Sequence, residues 1–219
     1  MRTDIHLFNL NINNMKRTTS FLAKASMMLL AVLFSLTGAR AQNELTVYDG
    51  ADQTSVVPFH GHFADYGTRS QFIIPAIELN EMAGGSINKL TFYAAAESAN
   101  FDEGVTVYLK EVDYSTFESE AMENWDEMTE VYTGNIAVSD YTMEIEFDSP
   151  YTYGGKNLMI GLQVTTWGSL CPDFKWYGEN QAEGSYTAVY NNANSSHEWS
   201  STPTRITFIP KTHRFHLCR

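Results

Sequence analysis

From residue 44 onward, apolar and polar side chains alternate in short runs, and Gly, Asn, Asp or Pro closes each run. E-L-T-V-Y-D at 44–49 alternates with period two and stops at Asp49-Gly50. S-V-V-P-F (55–59), R-S-Q-F-I-I-P (69–75), I-N-K-L-T-F-Y-A (87–94) and G-V-T-V-Y-L-K-E-V (104–112) follow. Then come T-E-V-Y-T (129–133), Y-T-M-E-I-E-F (141–147), N-L-M-I-G-L-Q-V-T (157–165), D-F-K-W-Y (173–177), S-Y-T-A-V-Y (185–190) and R-I-T-F-I-P (205–210). β-branched and aromatic residues dominate these runs, because they suit a pleated, half-buried surface. Many short strands with frequent turns predict an all-β chain, an antiparallel two-sheet β-sandwich of jelly-roll-like kind. One exception interrupts the pattern. P-A-I-E-L-N-E-M-A-G-G carries Pro75 at its entry and Gly84-Gly85 at its exit, which predicts one short helical turn near 76–83.

The beginning of the chain follows different rules. M-M-L-L-A-V-L-F-S-L at 27–36 is apolar apart from Ser35, lies after Lys16, Arg17 and Lys24, and precedes Ala39-Arg40-Ala41. A basic start, a short apolar core and an A-x-A site make a secretory signal peptide. The run is too short for a bilayer, which takes about 20 residues. Cleavage is expected after Ala41, with Ala39 and Ala41 as the small residues of the site. Met15, just before Lys16-Arg17, reads as the true start, with 1–14 a gene-model extension and 15–41 the signal peptide. Gln42 stands where a lipid-anchored precursor needs Cys, so the expected product is secreted or held at the cell surface without a lipid anchor.

The first 41 residues hold five of the 14 basic residues and one of the 26 acids, so the remainder carries nine basic and 25 acidic side chains, net −16 with His neutral. Such a surface repels phosphate backbones, which argues against nucleic acid as a partner. Two cysteines, Cys171 and Cys218, leave open a single bridge or a buried free Cys171.

Catalytic motifs are absent from the sequence: there is no G-x-S-x-G elbow, no phosphate-binding Gly-rich loop, and His197-Glu198 does not extend to H-E-x-x-H. No catalytic residue is expected. Hard cations take several carboxylate and carbonyl oxygens, so Asp49, Asp52, Asp102 and Glu103 form a candidate calcium set; otherwise no cofactor is expected. Glu118, Glu120, Glu123, Asp126, Glu127 and Glu130 follow neither a helical nor a strand period and read as a solvated acidic loop. In V-P-F-H-G-H-F-A-D-Y-G (57–67), His60 and His62 would share one strand face with Asp65 just beyond, as half a zinc or copper site or as a packed wall. Aromatic residues beside loops are the remaining functional candidates. The tryptophans read as core or rim packing or, for Trp167 and Trp199, as a sugar platform, with Tyr151 and Tyr153 either a ligand platform or packing over one end of the sandwich. Residues 191–203 are polar, include the pattern Asn194-Ser195-Ser196, and read as a long loop.

Several of these pieces, in this order, resemble a secreted β-sandwich module common in surface and exported proteins of the Bacteroidota: V-P-F-H-G-H-F-A-D-Y, S-Q-F-I-I-P-A-I-E-L-N-E-M-A-G-G-S-I-N-K-L-T-F-Y-A, V-Y-L-K-E-V-D, F-D-S-P-Y-T-Y-G-G-K-N-L-M-I-G-L and F-I-P-K-T. The resemblance spans most of 44–212. It implies a non-catalytic module at 42–211 serving adhesion, glycan or host- and matrix-protein binding, or spacing within a surface protein. The alternative it leaves open is an accessory domain of a secreted carbohydrate-active or proteolytic enzyme. It also implies that aromatic rings, typically tyrosine, occupy the positions of His60 and His62, which favours packing over metal binding there. T-H-R-F-H-L-C-R at 212–219 departs from the resemblance and reads as an irregular tail from a frameshift or truncation.

Overall fold

The computed structural model describes residues 45–60, 67–167 and 175–213, with 100–103 described for the backbone alone. Among the described residues thirteen strands run in chain order: β1 Thr46–Val47, β2 Asp52–Thr54, β3 Thr68–Ile74, β4 Ser86–Tyr93, β5 Ser98–Val112, β6 Thr129–Ser139, β7 Thr142–Thr152, β8 Asn157–Thr166, β9 Trp176–Asn180, β10 Ala188–Asn192, β11 Thr204–Ile206, β12 Phe208–Pro210 and β13 Thr212–His213. Ten of them form one antiparallel sheet in the order β1-β13-β4-β7-β6-β5-β8-β3-β10-β11, and three form a second in the order β12-β9-β2. The all-β, sandwich-like expectation holds. Among the described residues no helix is long and apolar enough to cross a membrane.

The large sheet is strongly curled. In its order β4 and β3 stand five positions apart, about 24 Å in a flat sheet at about 4.8 Å per strand. Yet the rings of Phe72 on β3 and Phe92 on β4 meet edge to face with centroids 6.0 Å apart. The sheet therefore wraps around its own apolar face. Alternation supplies that face: Val105, Val107 and Leu109 on β5 and Leu158, Ile160, Leu162 and Val164 on β8 are buried in the main core. The small sheet contributes Trp176, which is fully buried, lies 5.3 Å from Phe59 and donates its indole N–H to the Phe59 carbonyl at 2.8 Å. A buried indole needs such an acceptor.

The opposite face of the large sheet has a smaller core of its own. Ile73, Met159, Val189 and Val112 point outward and are covered by Phe117, Met122, Trp125 and Met128 from the 113–128 segment. Gln71, also fully buried, fastens this segment by donating to the Glu123 carbonyl at 3.0 Å and accepting from its amide at 2.7 Å. Arg205 fastens the other side through the carbonyls of Phe117 (3.0 Å) and Glu118 (2.9 Å). Glu118, Glu120, Asp126, Glu127 and Glu130 are exposed as expected of a solvated acidic loop, whereas Glu123 is half-buried.

Several boundaries differ from the sequence reading. The run 55–59 is bent rather than extended, and β2 precedes it. The run 205–210 is two strands in two sheets, β11 and β12, broken at Thr207. β6 continues to Ser139. Thr212 and His213, expected to begin an irregular tail, pair with β4 and β1. The helical turn is a 3-10 helix, Ala76–Met82, that buries Leu79 and Met82 and leaves Ile77 71% exposed.

Candidate functional site

Strand direction gathers the loops. In the antiparallel order, the ends of β4, β6, β8 and β10 and the starts of β3, β5 and β7 share one rim of the large sheet. At this rim β3 begins at Thr68, β8 ends at Thr166, and β10 ends at Asn192 beside them, with Asn192 paired to Thr68 and Arg69 to Gln163.

Trp167 and Trp199, separated by 32 positions in the chain, converge here with ring centroids 6.0 Å apart and planes at 53°. His197 stacks flat on Trp167, centroids 4.4 Å apart and planes 5° apart. The Arg69 guanidinium lies 4.5 Å above the Trp199 ring, a cation–π contact. Both indoles remain partly exposed. Gly67 makes room for them. Its φ is +88°, and a Cβ there would lie 1.6 Å from Trp167 Cζ3.

The 193–203 loop that carries His197 and Trp199 is tightly organised. The Asn194 side-chain carbonyl accepts from the amides of Ser196 (2.8 Å) and Glu198 (3.1 Å), and its amide group donates to Glu198 Oε2 at 3.3 Å. The Asn194 and His197 backbones complete the turn, and Ala193 bridges to Trp199. Beneath the rings, Asn191 is buried and donates to the Ser200 carbonyl at 2.8 Å. Arg69 Nε and Asn191 Oδ1, on directly paired residues, are buried and have no hydrogen-bond partner among the described residues. Desolvation lowers the Arg69 pKa from its ordinary value, but an arginine stays charged throughout the working range.

The other candidates from the sequence fall elsewhere. Tyr153 is fully buried, donates to the Lys156 carbonyl at 2.5 Å, and has its hydroxyl pushed up to about 12 by burial first and the Glu111 carboxylate second. Tyr151, half-buried against the core, is likewise pushed up to about 12, mainly by burial. Of the two expected roles, packing over a sandwich end fits them; with no exposed face, Tyr153 cannot serve as a platform. Asp49 pairs with Lys211, whose hydrogen bond and charge hold the carboxyl below the usual range. Asp52 accepts from the Asn180 amide at 2.9 Å. The side chains of Asp102 and Glu103 lie outside the described residues, and so do His62, Asp65, Cys171, Cys218, Ala39 and Ala41. Among the described residues no three His, Cys, Asp or Glu side chains come together as metal ligands. His60 is described, and its amide donates to Thr68 Oγ1 at 3.3 Å.

The contributions of Arg69, His197 and Gly67 were not foreseen from the sequence. His197 and Trp199, two apart, gave a faint signal; Arg69 gave none, because its place over Trp199 depends on the β3–β10 register. The chain matches no known protein-family model and no curated protein.

Proposed function

We propose that this chain is an exported, non-catalytic β-sandwich module that binds saccharides at the rim formed by Trp167, Trp199, His197 and Arg69. The convergence of the two indoles carries this reading. Rigid aromatic faces give a sugar ring apolar contact area at little cost in side-chain freedom. The Arg69 guanidinium, over the Trp199 ring, adds N–H donors at the same rim. A glycan supplies hydroxyls that both donate and accept. The net charge of −16 on the remainder of the chain favours neutral or cationic ligands over polyanions.

A glycan and matrix-protein array on the purified protein tests the reading. Binding to at least one glycan is expected, weakened about tenfold or more by Trp167→Ala or Trp199→Ala, since one lost aromatic contact is worth about 0.5–1.5 kcal/mol beyond its buried area. Binding that both variants retain, or binding confined to matrix proteins, contradicts it.

A further inference from the structure

A second hollow opens at the same rim, on the β4–β7 side. Its volume is about 470 Å3, within the range of small-molecule sites. Tyr93 at the end of β4, Tyr141 in the β6–β7 turn and Tyr177 on β9 line it, together with Asp49 and Lys211. The Lys211 ammonium contacts the Asp49 carboxylate and lies 4.3 Å above the Tyr93 ring. The lining therefore carries one positive and one negative charge that cancel.

The walls are tied together through the backbone. Ala94 donates to the Tyr141 carbonyl at 2.9 Å, Tyr141 to Glu97 at 3.1 Å, and Lys211 to Tyr177 at 2.8 Å. Gly50 lets the Asp49 turn press on β9, because a Cβ there would lie 2.3 Å from Glu179 Cγ.

Backbone strain marks the same place. Among the described residues, four non-glycine residues have left-handed φ: Tyr48 (56°), Asp140 (53°), Tyr141 (62°) and His197 (61°). All four are at this rim. Asp140 and Tyr141 form the turn beside the hollow, Tyr48 precedes Asp49, and His197 belongs to the tryptophan site. Glycine fills the other left-handed positions among the described residues, Gly67 at this rim and Gly84, Gly155 and Gly184 elsewhere. Glycine adopts this conformation freely, whereas a bulky side chain is strained there, and such strain concentrates at functional sites. Tyr141 keeps a ring, 51% exposed, where glycine would be easier.

We infer that the hollow lined by Tyr93, Tyr141, Tyr177, Asp49 and Lys211 is a second ligand site, taking one neutral sugar ring. Aromatic faces meet the apolar face of the ring. The Asp49 carboxylate accepts from its hydroxyls, Lys211 donates to them, and the tyrosine hydroxyls do both. A charge-balanced lining favours a neutral polyol over an ionic ligand. The site is separate from the tryptophan cluster and does not depend on it.

The test is saturation-transfer NMR of the purified protein with methyl α-mannoside, methyl β-glucoside, methyl β-galactoside and methyl N-acetyl-β-glucosaminide. At least one is expected to bind with a Kd of about 1 mM or tighter. Tyr141→Gly removes the ring where glycine suits the backbone, so the melting temperature should hold or rise while Kd rises about tenfold or more. Lys211→Met keeps an apolar stem over Tyr93 and should weaken binding similarly. Backbone-amide shifts on adding the glycoside should centre on Gly50, Tyr93, Ala94, Tyr141 and Tyr177, which separates this site from the tryptophan cluster. If no glycoside binds, if the affinity survives both Tyr141→Gly and Lys211→Met, or if the amide shifts are confined to the tryptophan cluster, the inference is overturned.

Discussion

Gly67 shows how a single residue sets the tryptophan site. Its φ of +88° and the Trp167 ring in the place of its missing side chain both require glycine. Gly67→Ala is expected to cost at least about 1–2 kcal/mol from the backbone alone, and to shift Trp167 fluorescence as the ring is displaced. Chemical denaturation that shows no loss of stability contradicts this. Gly134 explains a misread boundary. As part of Gly134-Asn135 it reads as the close of a strand, yet β6 passes through it. The Tyr132 ring folds back across it, the site of a Cβ lying 2.6 Å from the Tyr132 hydroxyl oxygen, and that hydroxyl donates to the Asn135 carbonyl at 2.7 Å. The glycine provides space, not a turn, and sequence alone does not distinguish the two. At Tyr153 the hydroxyl bond to Lys156 is partly buried, so Tyr153→Phe should cost about 1 kcal/mol with the fold intact; an unchanged unfolding midpoint contradicts that.

At the scale of elements, β3, β4 and β8 are legible as runs rich in β-branched, aromatic and aliphatic residues. On β8 the residues 158–162 are buried on both faces, because the 113–128 segment covers the outer one; this explains the near-continuous apolar run L-M-I-G-L. The run 205–210 looks like one strand because periodicity records which face a side chain takes, not which sheet it joins. The 113–128 segment was legible as acidic but not as a cover, since its anchors Phe117, Met122, Trp125 and Met128 follow no period. Its attachment is pH-dependent. The Tyr114 hydroxyl, followed by Lys110, holds the Glu123 carboxyl below its usual range, and Lys110 bonds Glu123 and Glu127 at 3.0 Å each. A depressed carboxyl stabilises the fold above its unfolded pKa of about 4.3, and this contribution disappears as pH falls through the lower folded value. Stability should therefore fall more steeply below about pH 4.3 in the native chain than in Glu123→Gln. Identical pH profiles for the two proteins contradict the assignment.

At the scale of the whole molecule, the curl of the large sheet joins core and rim. Phe72 and Phe92 meet across the wrapped sheet, and Phe92→Ala should cost about 3–5 kcal/mol; a loss below about 1 kcal/mol shows that the curl does not depend on this contact. The curl also brings loops far apart in sequence to one end, where loops of a sandwich commonly carry binding function. That end was legible only in part. Trp167 and Trp199 stood out as aromatic residues beside loops. Tyr93 and Tyr177 lie on two strands and Tyr141 in a turn, and they meet only through topology. The central claim is that the rim binds saccharides through Trp167 and Trp199. Its most direct test is a map of backbone-amide NMR shifts on adding cello-, xylo-, manno- and laminarihexaose in turn. Shifts concentrated at Gly67, Arg69, Trp167 and residues 193–200 are the expected result. Shifts confined to the opposite end of the sandwich, or no shifts with any of the four, contradict it.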